Sequence, residues 1–118
     1  MTVRTQNQRR VALIDRDVII VTAQDFLDQL VTANYAHDCT DLIVYKESLV
    51  EDFFDLKTRV AGELLQKCSN YHVRLAVVGD FSSVKSKSLH DYIYECNKGN
   101  LVFFKSSVED ALTALTDR

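Results

Sequence analysis

The run Val73-Arg74-Leu75-Ala76-Val77-Val78 is almost unbroken in apolar and β-branched residues, the pattern of a parallel strand covered on both faces. A parallel strand needs a neighbour reached through a long crossover, and such crossovers are usually helices. Two more short apolar runs, Leu42-Ile43-Val44-Tyr45 before it and Leu101-Val102-Phe103-Phe104 after it, supply the neighbours. The stretches between them have helical periodicity. Phe26, Leu27, Leu30, Val31 and Ala33 follow Thr22, which caps a first helix with Asp25 in its first turn. Phe53, Leu56, Val60, Leu64 and Cys68 form the stripe of a second helix, predicted from about residue 53 to 69. Leu89, Ile93 and Cys96 mark a third, and Ser107-Val108-Glu109-Asp110 opens a fourth.

Ahead of these units, Thr2 to Gln6, Arg10 to Asp15 and Val18 to Val21 read as two or three strands. Turn residues at Asn7-Gln8 and Asp15-Arg16-Asp17 join them as antiparallel neighbours. The expectation is a single α/β domain over residues 1–118: an N-terminal β-meander or hairpin, then α-β-α-β-α-β-α, with a mixed, mostly parallel sheet. This order resembles that of the anti-sigma-factor antagonist (STAS) domains, which implies an initial strand pair followed by repeated βα units.

Local signals refine the elements. Gly62 falls inside the second helix, where glycine costs about 1 kcal/mol relative to alanine, so it is expected to permit close approach of another backbone, within the domain or between subunits. Arg59, Glu63 and Lys67 recur at the spacing of helical ion pairs, and Asn70-Tyr71 is expected to cap this helix. Ser88-Leu89-His90-Asp91 has a capping-box arrangement, although Ser86 can also serve as the cap. Gly99 supplies the stop of the same helix.

Several function classes are excluded. Fourteen Lys and Arg stand against seventeen Asp and Glu, for a net charge of −3, which gives no general attraction to nucleic acid. Apolar runs stop at about 6 residues, well short of the ~20 of a membrane helix. The polar, basic start from Met1 to Arg10 has no apolar segment of a secretory signal behind it. Cys39, Cys68 and Cys96 lack metal-ligand spacing, so free thiols in the cytoplasm are expected. His37, His72 and His90 have no mutual spacing for a zinc site or a base beside a nucleophile. The three glycines are isolated, so neither a Walker loop nor a dinucleotide fingerprint can be built. No cofactor and no metal are expected.

The motifs Asp52-Phe53-Phe54-Asp55-Leu56, Ala61-Gly62-Glu63, Gln66-Lys67, Ser69-Asn70-Tyr71, Arg74-Leu75-Ala76, Gly79-Asp80-Phe81-Ser82, Ser86-Lys87-Ser88-Leu89 and Asn97-Lys98-Gly99 resemble those of an uncharacterised bacterial family, a domain of unknown function. The resemblance covers about the carboxyl two thirds of the chain and implies no activity. Cys68 and Cys96 depart from that family's pattern, where Phe and Ser are expected, which argues against a catalytic thiol.

In open α/β sheets ligands bind beyond the carboxyl ends of the strands, which directs attention to the loop Gly79 to Lys87. Asp80, Phe81, Ser82, Lys85, Ser86 and Lys87 are candidate ligand- or partner-binding residues there, joined by Lys46, Ser48 and Lys105 at neighbouring strand ends. Ser48, Ser82, Ser86 and Ser88 are candidate phosphorylation sites, and Gly62, Glu63 and Lys67 candidate packing or interface positions. Two functions compete. The first is a regulatory or protein-interaction module without catalysis, with a protein partner or a second copy of itself. The second is a protein that binds or turns over a small anionic molecule, with Asp80 as acid or base and Lys85 and Lys87 as charge clamp.

Overall fold

The chain begins with a tight hairpin. Strand β1 (Thr2–Gln6) pairs antiparallel with β2 (Arg9–Leu13), and Asn7 and Gln8 both take positive φ, 52° and 67°, as a two-residue primed turn requires. The computed structural model describes residues 1–55 and 58–117. After the hairpin come α1 (Ala23–His37), β3 (Asp41–Tyr45), a short α2 (Glu51–Phe54), α3 (Val60–Asn70), β4 (Arg74–Val78), α4 (Lys87–Lys98), β5 (Val102–Lys105) and α5 (Val108–Thr116). The five strands lie in the order β1-β2-β3-β4-β5, parallel from β2 onward. The α/β sheet is therefore mixed and mostly parallel, as expected.

Every parallel step goes to the next neighbour in the same direction, so crossovers of one hand put α1, α3 and α4 on one face. Strand alternation then sorts the side chains. Ala12, Leu42, Val44, Leu75, Val77, Val102 and Phe104 face the large core with Phe26, Leu30, Leu64 and Cys68. Val11, Ile43, Ala76, Val78 and Phe103 face α5, packing on Ala111, Leu112 and Leu115. Among the described residues no helix is long and apolar enough to cross a membrane.

Several local expectations need correction. Val18 to Val21 is not a strand: only Ile20 pairs, in an isolated bridge to Leu49, while Ile19 and Val21 are exposed. The turn at Asp15 (Val18 N–H to Asp15 carbonyl, 3.1 Å) thus leads toward α1, which Thr22 and Asp25 start with a reciprocal capping box. The second predicted helix is two helices. The first ends at Phe54 with Asp55 as its C-cap, the Thr58 hydroxyl donates to the carbonyls of Asp52 and Asp55, and Arg59, the N-cap of the second, adopts a left-handed φ of 65°. Phe53 belongs to the first helix and Val60, Leu64 and Cys68 to the second, and Leu56 lies outside the described residues. The cap of α4 is Ser86, whose hydroxyl accepts from Leu89 N–H at 3.2 Å, while Asp91 turns to Lys87 at 2.8 Å. Gly99 does end α4, but at φ −83° and without a left-handed turn.

At Gly62 the expected close approach of another backbone is not seen: a Cβ there would meet nothing within 4 Å among the described residues. Asn70 does end α3 and Tyr71 is its C-cap, as expected, through the Tyr71 backbone N–H to the Lys67 carbonyl at 3.0 Å. The Asn70 oxygen accepts from Gln66, Tyr71 is exposed, and the left-handed residue is His72 at φ 54°.

The amino end of the sheet is closed by charge. Asp41, only 1% exposed, accepts from Arg9 Nε at 2.9 Å, and its other oxygen lies 3.9 Å from Arg74 Nη1. Arg74 also donates to the carbonyls of Asn100 and Leu115 and sits 5.4 Å from the Phe103 ring centre, joining β3, β4 and β5 to the end of α5. The edge strand β5 is partly covered, since Phe104 N–H donates to the Asn97 side chain at 2.8 Å.

Candidate functional site

Parallel strands β3 and β4 end side by side, with Tyr45 opposite Val78. The residues that follow, Lys46 and Gly79, are therefore neighbours. Gly79 has no side chain to block the Lys46 stem, and a Cβ at 79 would fall 2.5 Å from the Cβ of Lys46. Lys46 crosses this gap and its Nζ donates to the Asp80 carbonyl at 2.6 Å.

The ammonium thereby lies 5.2 Å from the ring centre of Phe81 and 5.8 Å from that of Phe54. Phe81 turns inward, as an aromatic in a polar loop must if it meets no partner. It packs edge-on against Phe104 with ring centres 5.3 Å apart, and 6.3 Å from Phe54. Lys46 and Phe54 line both of two adjoining open clefts. One, of about 450 Å³, also has Glu51, Asp52, Ser83 and Val84 on its walls. The other, of about 360 Å³, is closed by Glu47, Leu49, Glu51 and Asp80.

Asp80 itself is held locally. Its Oδ1 accepts from the Ser82 hydroxyl at 2.6 Å and from Ser82 N–H at 2.9 Å, a side-chain turn. These two donors, with Lys46 nearby, hold the carboxyl below the usual aspartate range. On the neighbouring strand connection Arg16 stacks 3.8 Å from the Tyr45 ring centre and reaches Glu47 at 3.6 Å.

The sequence-predicted residues divide accordingly. Lys46, Asp80 and Phe81 come together. Lys85 and Lys87 do not form a clamp around Asp80: both are exposed and line neither cleft, and Lys87 pairs with Asp91 one turn along α4. That contact raises the Lys87 pKa. Ser86 is occupied as the helix cap. Ser82, Ser86 and Ser88 are exposed, whereas Ser48 is fully buried, its hydroxyl 3.4 Å from the Arg16 carbonyl it donates to. Lys105 ends β5 opposite Val78 and lines neither cleft.

Glu63 is exposed and Lys67 half-buried, and no ion pair joins Arg59, Glu63 and Lys67 among the described residues. Nor do any three described His, Cys, Asp or Glu side chains form a set that could hold a metal ion. The three cysteines are unbridged.

Sequence reasoning missed Phe54 and the acidic wall of Glu47, Glu51 and Asp52. The available signal was the segment Glu51-Asp52-Phe53-Phe54-Asp55 after β3: a loop beside the Gly79 loop opens on the same sheet edge. No curated protein and no solved structure matches the chain. Residues 5–115 match the family model described as a domain of unknown function, DUF4180, and the chain belongs to that family.

Proposed function

We propose that the protein is a small regulatory or protein-interaction module without catalysis of its own, and that its partner docks at the carboxyl edge of the sheet. The observation that carries this reading is the Lys46 ammonium, poised over Phe54 and Phe81 between two clefts walled by Glu47, Glu51, Asp52 and Asp80. The four carboxylates outnumber the Lys46 ammonium, which already donates to the Asp80 carbonyl, so the walls favour a cationic group and the partner offers a Lys- or Arg-bearing segment. The polar groups that acid–base chemistry would draw on are engaged in local structure: Asp80 with Ser82, Lys87 with Asp91, Ser86 with the start of α4.

The element order, a strand pair followed by βα units, which we take to resemble that of STAS domains, fits the same role, and the three unbridged thiols fit a cytoplasmic location. A phosphate on exposed Ser82 would add negative charge beside Asp80 and strengthen attraction for a basic segment. A small anionic molecule is the second reading, supported by the Lys46 ammonium, which reaches both clefts.

The test is a heteronuclear NMR titration with penta-arginine, pentaglutamate and inorganic phosphate as separate probes. Docking of a basic partner predicts amide shifts in residues 46–55 and 79–84 with penta-arginine alone, lost in a Glu51→Lys, Asp52→Lys variant. Shifts there with phosphate alone would replace this reading with the anionic one. Equal responses to both peptides, or none at this edge, would remove the docking site.

A further inference from the structure

We infer that the run Val18-Ile19-Ile20-Val21 is a strand-addition edge, on which an extended segment of the basic partner pairs with the Ile19 backbone and covers Ile19 and Val21. Four consecutive β-branched residues have the composition of a strand, yet the fold pairs one of them. Ile20 N–H donates to the Ser48 carbonyl at 2.7 Å, and the Ile20 carbonyl accepts from Val50 N–H at 3.4 Å, in the parallel bridge to Leu49. In an extended chain the polar groups of the next residue face the other way. Among the described residues neither the N–H nor the carbonyl of Ile19 has a backbone hydrogen-bond partner.

Side chains follow the same alternation. Ile20 is buried, while Ile19 and Val21, 59% and 50% exposed, are the most exposed Ile, Leu or Val side chains among the described residues. A run with one face in water normally alternates apolar with polar residues, so nothing within the chain accounts for an outward isoleucine and valine. An unpaired backbone edge and an uncovered apolar pair on the same short run are both satisfied by one added strand.

Charge identifies what is added. Asp17 is exposed at the start of the run, and the Asp25 carboxylate stands at its end, accepting from Val21 and Thr22 N–H at 2.9 and 3.2 Å. Arg16 is engaged by Tyr45 and Glu47. Carboxylates at both ends repel a second copy paired through this run and attract a segment with Lys or Arg on either side of an apolar residue. Leu49, the bridge partner of Ile20, also lines the smaller cleft beside Lys46, so the run is continuous with the docking edge. The partner's basic charge is that of the docking reading above, on which this rests; the run adds its extended conformation and its apolar residue.

Heteronuclear NMR titration of the whole chain with two charge-matched peptides, Arg-Val-Arg-Val-Arg and Arg-Ser-Arg-Ser-Arg, tests this. The valine peptide is expected to bind roughly tenfold or more tightly than the serine peptide. It shifts the amides of residues 18–22 together with those of 46–55, and it protects the Ile19 N–H from hydrogen exchange. In an Ile19→Ser, Val21→Ser variant with wild-type circular dichroism the preference for valine disappears. Should that variant not fold, exchange at Ile19 in the wild type decides alone. Equal affinities with shifts confined to 46–55 and 79–84 overturn strand addition and leave the docking reading standing, whereas no response to either peptide removes both. A valine preference without protection of Ile19, or one that survives in the folded variant, also overturns the inference. So does self-association of the free chain that the double variant abolishes.

Discussion

Gly79 and Lys46 interlock at the carboxyl edge of the sheet: a Cβ on residue 79 would stand 2.5 Å from the Cβ of Lys46, a contact with the rigid root of that side chain. Gly79→Ala must therefore displace backbone. Overpacking of this kind costs about 1–3 kcal/mol, more than the ~0.4–1 kcal/mol that an unstrained Gly→Ala returns by restricting the unfolded chain. Urea denaturation is expected to show net destabilisation for Gly79→Ala, and little or none when Lys46 is also glycine. An equal loss in both backgrounds would place the strain elsewhere.

The contact between Arg9 and Asp41 is expected to be the most sensitive charged pairing. Asp41 is 1% exposed and faces both Arg9 and Arg74, whose side chain is itself only 13% exposed. Removing one member of a buried charge set leaves the others desolvated and unmatched, at a cost of about 3–5 kcal/mol. When Asp41 is removed, Arg9, 38% exposed, can return to water and Arg74 keeps the carbonyls of Asn100 and Leu115, whereas Arg9→Ala leaves the buried carboxylate without its 2.9 Å donor, so Arg9→Ala should cost at least as much as Asp41→Ala. Parallel thermal and urea unfolding of the two variants decides the order.

The parallel sheet was legible because burial on both faces leaves continuous apolar runs, as at Val73 to Val78, and because the capping signals of Thr22 and Ser107 are local chemistry. The amino-end clamp was not legible. Arg9, Asp41 and Arg74 lie 32 and 33 residues apart in sequence, and only the register that sets Asp41 opposite Arg74 brings them together. The end of α2 at Phe54 was hidden for a different reason. Phe53, Val60, Leu64 and Cys68 keep helical spacing across it, so periodicity reads through a helix end that the Thr58 hydroxyl marks by donating to the Asp52 and Asp55 carbonyls. At the candidate site Asp80 and Phe81 were found from the loop itself. The supposed lysine clamp failed because Lys87 has an acidic residue four positions ahead on its own helix, a nearer partner than Asp80.

Ser86 and Ser88 make a sharp local test, since sequence spacing allows either to cap α4. Ser86 Oγ accepts the Leu89 N–H, and Ser86→Ala is expected to cost about 1 kcal/mol. Ser88, exposed inside the first turn, should tolerate alanine within about 0.5 kcal/mol. The reverse order in urea midpoints would move the helix start by two residues.

Cys68 links the core to pH. Packed on the large core from α3, its thiol is pushed by burial from 9.0 up to about 12. Below pH 9 the thiol is protonated in both the folded and unfolded chain, so its contribution to stability is intact. As pH rises above 9 the unfolded chain ionises freely, while the folded chain must keep the proton or expose the group. Stability therefore falls between pH 9 and about 12, by an amount on the order of 4 kcal/mol if the whole interval is traversed. Burial raises Cys39, Cys96 and Tyr92 as well, so the total alkaline loss is shared, and the comparison must be made against a variant at this one position. Cys68→Ala will lower stability at neutral pH by leaving a cavity, a cost that does not vary with pH. Urea midpoints measured from pH 8 to 11 should nonetheless fall less steeply in Cys68→Ala than in the wild type, so that the two curves converge. Parallel curves would mean that the thiol ionises without opening the core and that the alkaline loss belongs to the other buried groups.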